Sequence, residues 1–160
     1  KGLSEKNLPK PGDISEFVHI MYDYRGSRKL EVDGNVIVVG TAVRRTIEEQ
    51  NKGISFLDVD RLLASLKKAA PDFDYEKVER SGGAWIKRTK LRDVPPGQGR
   101  IFELEWLAPI RTDILLIFQV VLHDYATKGS RRNVAWYQDA EAMRKHIFES
   151  FRVELRDLSE

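Results

Sequence analysis

Three histidines, several closely spaced acids, one glycine pair and three short basic runs are the residues of this sequence whose types could do chemistry. His123-Asp124-Tyr125 comes nearest to a general-base pair, because a carboxylate can orient an imidazole and raise its basicity. The pair stands at the end of an apolar run, and successive side chains of a strand point to opposite faces. His123 and Asp124 should therefore not touch, and a structural histidine is the plainer reading. No catalytic residue is assigned.

His19, His123 and His146 lie on separate elements, without the short spacing that sets two metal ligands on one helix face. Asp58 with Asp60 belongs to a helix start, and Asp72 with Asp74 lacks the following glycine and glutamate of a calcium loop. No metal is expected. Nucleophile signatures are missing too: there is no cysteine, no Gly-x-Ser-x-Gly and no Ser-x-x-Lys. Ser81-Gly82-Gly83 is not followed by the Gly-Lys-Ser/Thr of a phosphate-binding loop, and a glycine pair before a strand more often makes a turn or bulge. No cofactor is expected.

The basic runs are Arg44-Arg45, then Lys87, Arg88, Lys90 and Arg92, then Arg131-Arg132, with Trp85, Trp136 and Tyr137 close by in sequence. Cations interleaved with rings can grip an anionic polymer by charge and stacking. Asp93, Glu103 and Glu105 dilute that field, so nucleic acid is not the expected partner. An exposed Trp-Arg cluster suits a protein partner better, since those residues dominate interface hot spots. The candidate binding residues are Trp85, Lys87, Arg88, Lys90, Arg92, His123, Tyr125, Arg131, Arg132 and Trp136. Two alternatives stand beside this: a small-ligand pocket or hydrolase-like enzyme using His123, Tyr125 and Arg111, and anion or nucleic-acid binding through the basic loops.

The elements that must position these residues fit one globular domain over 13–155, between a tether or linker at 1–12 and a loose tail at 156–160. The chain has 160 residues, 41% hydrophobic and 32% charged, with 27 basic against 25 acidic side chains. A small positive excess is not a polybasic surface. The absence of cysteine excludes disulfides and thiol catalysis and is compatible with either redox compartment. The longest apolar run, 114–122, is far shorter than the roughly 20 residues of a membrane helix. A first residue of Lys1 fits two origins equally, a processed chain whose signal or anchor lay upstream and a boundary set to drop a floppy end.

Residues 17–24 are mostly apolar on both alternating phases and fit a strand or a short helix. Leu30-Glu31-Val32, Asp33-Gly34 and the β-branched run 35–43 predict a hairpin with a type I′ turn at Asp33-Gly34. Residues 44–53 read as an exposed connection or a frayed helical turn. Ser55 is the expected cap of an amphipathic helix over 56–69, with Phe56, Val59, Leu62, Leu63 and Leu66 on its buried face and Pro71 after it. Residues 84–88 predict a strand and 92–99 a loop. In 100–106, Phe102, Leu104 and Trp106 alternate with Glu103 and Glu105, which predicts a partly wet face. The run 114–123 is apolar on both phases and should lie in mid-sheet, covered on each side. Residues 133–137 and 152–155 are short candidate strands. A second helix is expected over 139–151, with Ala140, Met143, Ile147 and Phe151 inward. The predicted class is α/β (α+β): a mainly antiparallel sheet sandwiched between helices, α/β/α.

This layout resembles the PsbP-like domain family, which includes extrinsic photosystem II proteins, bacterial lipoproteins and a nuclear Ran-binding import factor. The resemblance rests on Ser81-Gly82-Gly83-Ala84-Trp85 entering a strand, on the strands 100–106 and 114–123, and on the ending 143–152 with Ser150-Phe151-Arg152. It spans roughly 36–153. The resemblance implies a non-enzymatic binding or assembly domain, often exported, with no catalytic residues to carry over. An extracytoplasmic location and a protein partner are therefore the expectations.

Overall fold

The structure, a computed structural model, describes residues 8–25, 32–80, 83–93, 100–124 and the isolated positions Ala142, Lys145 and His146. Six strands form one antiparallel sheet in the order β1-β2-β6-β5-β4-β3. They are β1 (Ile14–Arg25), β2 (Val32–Arg44), β3 (Asp74–Arg80), β4 (Gly83–Asp93), β5 (Arg100–Pro109) and β6 (Ile114–Asp124), with α1 (Ile47–Asn51) and α2 (Val59–Ala69) between β2 and β3. The chain leaves β2, crosses through the two helices to the far edge, and returns as a meander that lays β6 against β2. The class is thus α+β.

β6 lies between β2 and β5, as its two apolar phases require. Ile114, Leu116, Phe118, Val120 and Leu122 join Val36, Val38, Ala42, Trp85, Leu104, Trp106 and Ala108 in the core of one face. On the opposite face Leu115 packs with Ile86, Leu107, Phe56, Val59 and Leu62, and with Leu63 and Leu66 around them, so α2 covers that part of the sheet. Fully burying side chains of this size stabilises by about 1.5–3 kcal/mol each.

Three local expectations are corrected, and one pair of alternatives is resolved. Asp33-Gly34 makes no turn: Gly34 pairs with Tyr24 on one side and Asp124 on the other, inside β2, and the β1–β2 connection falls before Val32. Alternation in 35–43 continues through the Asp-Gly pair, and pairing on both sides outweighs its turn preference. Residues 17–24, left open between strand and helix, are strand within β1. The cap of α2 is Asp58, whose side chain accepts from the Arg61 backbone N–H, while Ser55 accepts from Leu57 N in the turn before it. The third correction concerns Glu103 and Glu105, which are buried at 8% and 5% exposure where the alternation predicts a partly wet face.

Residues 44–53 hold a real capping box, Thr46 with Glu49, at the start of α1. Within 1–12, Leu8 packs on the core and Gly12 N–H donates to Arg44 O at 3.0 Å. The expected second helix over 139–151 and the candidate strands at 133–137 and 152–155 lie outside the described residues, apart from Ala142, Lys145 and His146, which are helical and exposed. Among the described residues no helix is long and apolar enough to cross a membrane.

Candidate functional site: a ladder of paired charges on β4, β5 and β6

The alternation of β4 divides its basic run between two faces. Ile86 belongs to the α2 face, so Arg88, Lys90 and Arg92 share that face, while Trp85 and Lys87 take the other. Register places Arg88 opposite Glu105, Lys90 opposite Glu103, and Glu105 opposite Gln119 of β6. Two alternating runs of opposite charge on consecutive strands therefore meet side by side.

Each cation of the run has an acid. Arg88 holds Glu105 Oε2 through Nε at 2.8 Å and Nη2 at 2.5 Å, and Gln119 Nε2 donates to Glu105 Oε1 at 3.1 Å. Both carboxylate oxygens are thus satisfied, which a buried carboxylate needs if it is to remain charged. Arg92 pairs diagonally with Glu103, and Lys90 with Asp72. On the other face Lys87 Nζ donates to Glu76 Oε2 at 2.7 Å. Phe73 lies beneath two of these cations, its ring centroid 4.6 Å from the Arg88 guanidinium carbon and 5.2 Å from Lys90 Nζ. The hydrogen bond from Lys90, above all, holds the Asp72 carboxyl below its ordinary range.

His123 ends this face, between Asn35 of β2 and Ile101 of β5 in register. Burial lowers its pKa first and the Arg92 charge adds to that, with Glu103 opposing. At neutral pH the ring is therefore kept neutral.

The second basic pair is also matched. Arg44 Nε donates to buried Asp113 Oδ2 at 2.8 Å, and Arg111 Nε donates to Oδ1 of the same carboxylate at 3.1 Å. Arg45 lies 3.8 Å over the Phe56 ring and pairs with Glu49, and burial, the largest influence on it, lowers its pKa.

Measured against the sequence expectations, Arg88, Lys90, Arg92 and His123 are brought to one face, and Lys87 is not. Trp85 is a core residue of the opposite face, which corrects its place in an exposed Trp-Arg cluster: the strand phase that sends Arg88 to α2's side sends Trp85 into the core. Arg111 does not join His123, because it precedes the start of β6 and His123 stands near its end, about 30 Å along a strand. Tyr125, Arg131, Arg132 and Trp136 lie outside the described residues. Sequence reading missed Glu105, Glu103, Gln119, Asp72 and Phe73 as parts of this set. The signal was there, in the matched two-residue spacing of Arg88, Lys90 and Arg92 against Glu103 and Glu105.

A cavity of about 260 Å³ lies at the other end of the sheet, lined by Leu57, Asp58, Asp60, Lys77, Gly83 and Pro109 among others. Lys77 Nζ donates to Asp60 Oδ1 there at 2.8 Å. Among the described residues no group of three or more His, Asp or Glu could hold a metal ion.

No family model matches this chain, and a search of curated proteins returns no match.

Proposed function

We propose that this chain is a non-catalytic binding or assembly domain of the PsbP-like kind that engages a protein partner. In this reading the sheet is the middle layer of an α/β/α sandwich whose second helical layer is 139–151, and the domain is displayed outside the cytoplasm on its N-terminal tether. One observation carries the proposal: the four cations of β4 are each matched to an acid, Lys87 to Glu76, Arg88 to Glu105, Lys90 to Asp72 and Arg92 to Glu103. Charges closed on one another in this way stiffen a sheet, and they present little field to a phosphate backbone. Arg92 is the exposed member of the set, beside His123 at the end of the sheet, and arginine is enriched among interface hot spots.

Affinity capture with cross-linking from extracts of the source cells tests the proposal. The wild-type chain should recover the same protein repeatedly, and Arg92→Ala, with an unchanged melting temperature, should recover several-fold less. Recovery of no recurring partner, together with turnover of a small molecule, would overturn it.

A further inference from the structure

The two edges of the sheet differ in kind. β3 has seven residues, Asp74, Glu76, Lys77, Glu79 and Arg80 among them, and α2 lies against it. The Tyr75 hydroxyl reaches the carbonyl oxygens of Leu66 at 3.0 Å and Ala70 at 2.9 Å, and Lys77 reaches Asp60. That edge is blunted by charge and by a helix. β1 has 12 residues and, among the described residues, a strand neighbour on one side only. Beyond the irregularity at Phe17 its register runs unbroken from Val18 to Tyr24, with no lysine or proline in it. Within that stretch Ile20 is 42% and Met21 59% exposed. A long, regular, apolar edge is a template for another strand.

Register also fixes what such a strand would meet. His19, Met21 and Asp23 oppose Val39, Ile37 and Asn35, so the three share one face, and all are exposed. His19 Nδ1 lies 3.2 Å from Glu16 Oε1 of its own strand. We propose that β1 pairs antiparallel with β1 of a second copy of this chain about a two-fold axis through Met21, joining the two sheets into one. An axis normal to a sheet keeps every side chain on its own face, so only residues of the same face can oppose each other. Centred on Met21, the axis sets His19 against Asp23 of the second copy twice, by symmetry, and Met21 against Met21. Moved to Ile20 it opposes His19 with Met21, and moved to His19 it opposes that histidine with itself. The Met21 axis is the choice that matches the basic and acidic side chains of this face. The dimer is independent of what docks beside Arg92 and His123.

Sedimentation equilibrium of the full chain up to high micromolar concentration should follow a monomer–dimer equilibrium. The chain has no cysteine, so Met21→Cys supplies a single thiol. Opposed Cα atoms in an antiparallel pair, about 4.5–5.5 Å apart, are within disulfide reach. Mild oxidation should therefore link M21C into a covalent dimer. Ile14→Cys, at a position 69% exposed, should not link, since its two copies would stand on the order of 45 Å apart along the paired strands. Asp23→Lys should weaken the dimer several-fold, and adding His19→Glu should restore it, with circular dichroism melts showing that each variant is folded. A monomer at every concentration overturns the proposal, as does M21C cross-linking no faster than I14C. A monomer in which the amides of 18–23 that point away from β2 also resist hydrogen exchange would mean that a different segment occupies this edge, and overturns it equally.

Discussion

The ring of Phe17 meets that of Phe118 edge to face, with centroids 5.5 Å apart and planes at 76°, across Gly40. Phe17 is the extra residue at the register shift between Glu16 and Val18, and Gly40, directly opposite Phe118 in β2, leaves room for its ring. A Cβ on Gly40 would stand 2.8 Å from Phe17 Cε2. Gly40→Ala should therefore destabilise the chain by about 1–3 kcal/mol, the usual cost of overpacking, read as a lowered urea midpoint at unchanged slope. Phe17→Leu in the same background should recover part of the loss by removing the clashing ring.

The start of α2 gives a second prediction, one that separates two candidate caps. Asp58 Oδ1 accepts from Arg61 N at 3.1 Å, whereas Ser55 serves only the turn before the helix. Asp58→Ala should cost about 1 kcal/mol. Ser55→Ala should cost distinctly less in the same thermal or urea melts.

His123 makes stability depend on pH with a definite sign. Its folded pKa is lowered from the ordinary 6.5 by burial, then by Arg92. Below 6.5 the unfolded chain therefore takes up a proton that the folded chain resists, so stability falls as pH drops from neutrality toward the lowered folded value. His123→Gln should flatten the melting temperature between about pH 7 and pH 5.5. A wild-type slope surviving in H123Q would assign the effect to another group.

Much of the fold was legible because burial writes a period into sequence. The double apolar phase of 114–123 requires a middle strand, and Val59, Leu62, Leu63 and Leu66 require a helix with one buried face; both are found, with Phe56 packed on the same face from the turn before the helix rather than within it. Local turn chemistry was the poorer guide. Asp33-Gly34 has the composition of a hairpin turn, yet β2 is paired with β1 and β6 around it, and a strand held on both sides overrides a dipeptide preference. Glu103 and Glu105 misled for a related reason. Alternation shows which face a side chain takes, and only the neighbouring strand shows whether that face is wet. Arg88, Arg92 and Gln119, distant in sequence, allow these carboxylates to be buried. The same pairing joins the cations of an apparent binding run to acids elsewhere in the fold and leaves Arg92 the exposed one, a division that residue type alone could not show.

The reading of β4 as a set of internally matched charges is tested most directly by a double-mutant cycle on Arg88 and Glu105, with Arg88→Met, Glu105→Leu and the double variant followed by urea unfolding. Removing Arg88 alone leaves a buried carboxylate with only Gln119, and should cost about 3 kcal/mol, while the double variant should recover most of that loss. Single substitutions that each change stability by less than about 0.5 kcal/mol, the usual scale for surface residues away from such features, and that simply add in the double variant, would contradict the account.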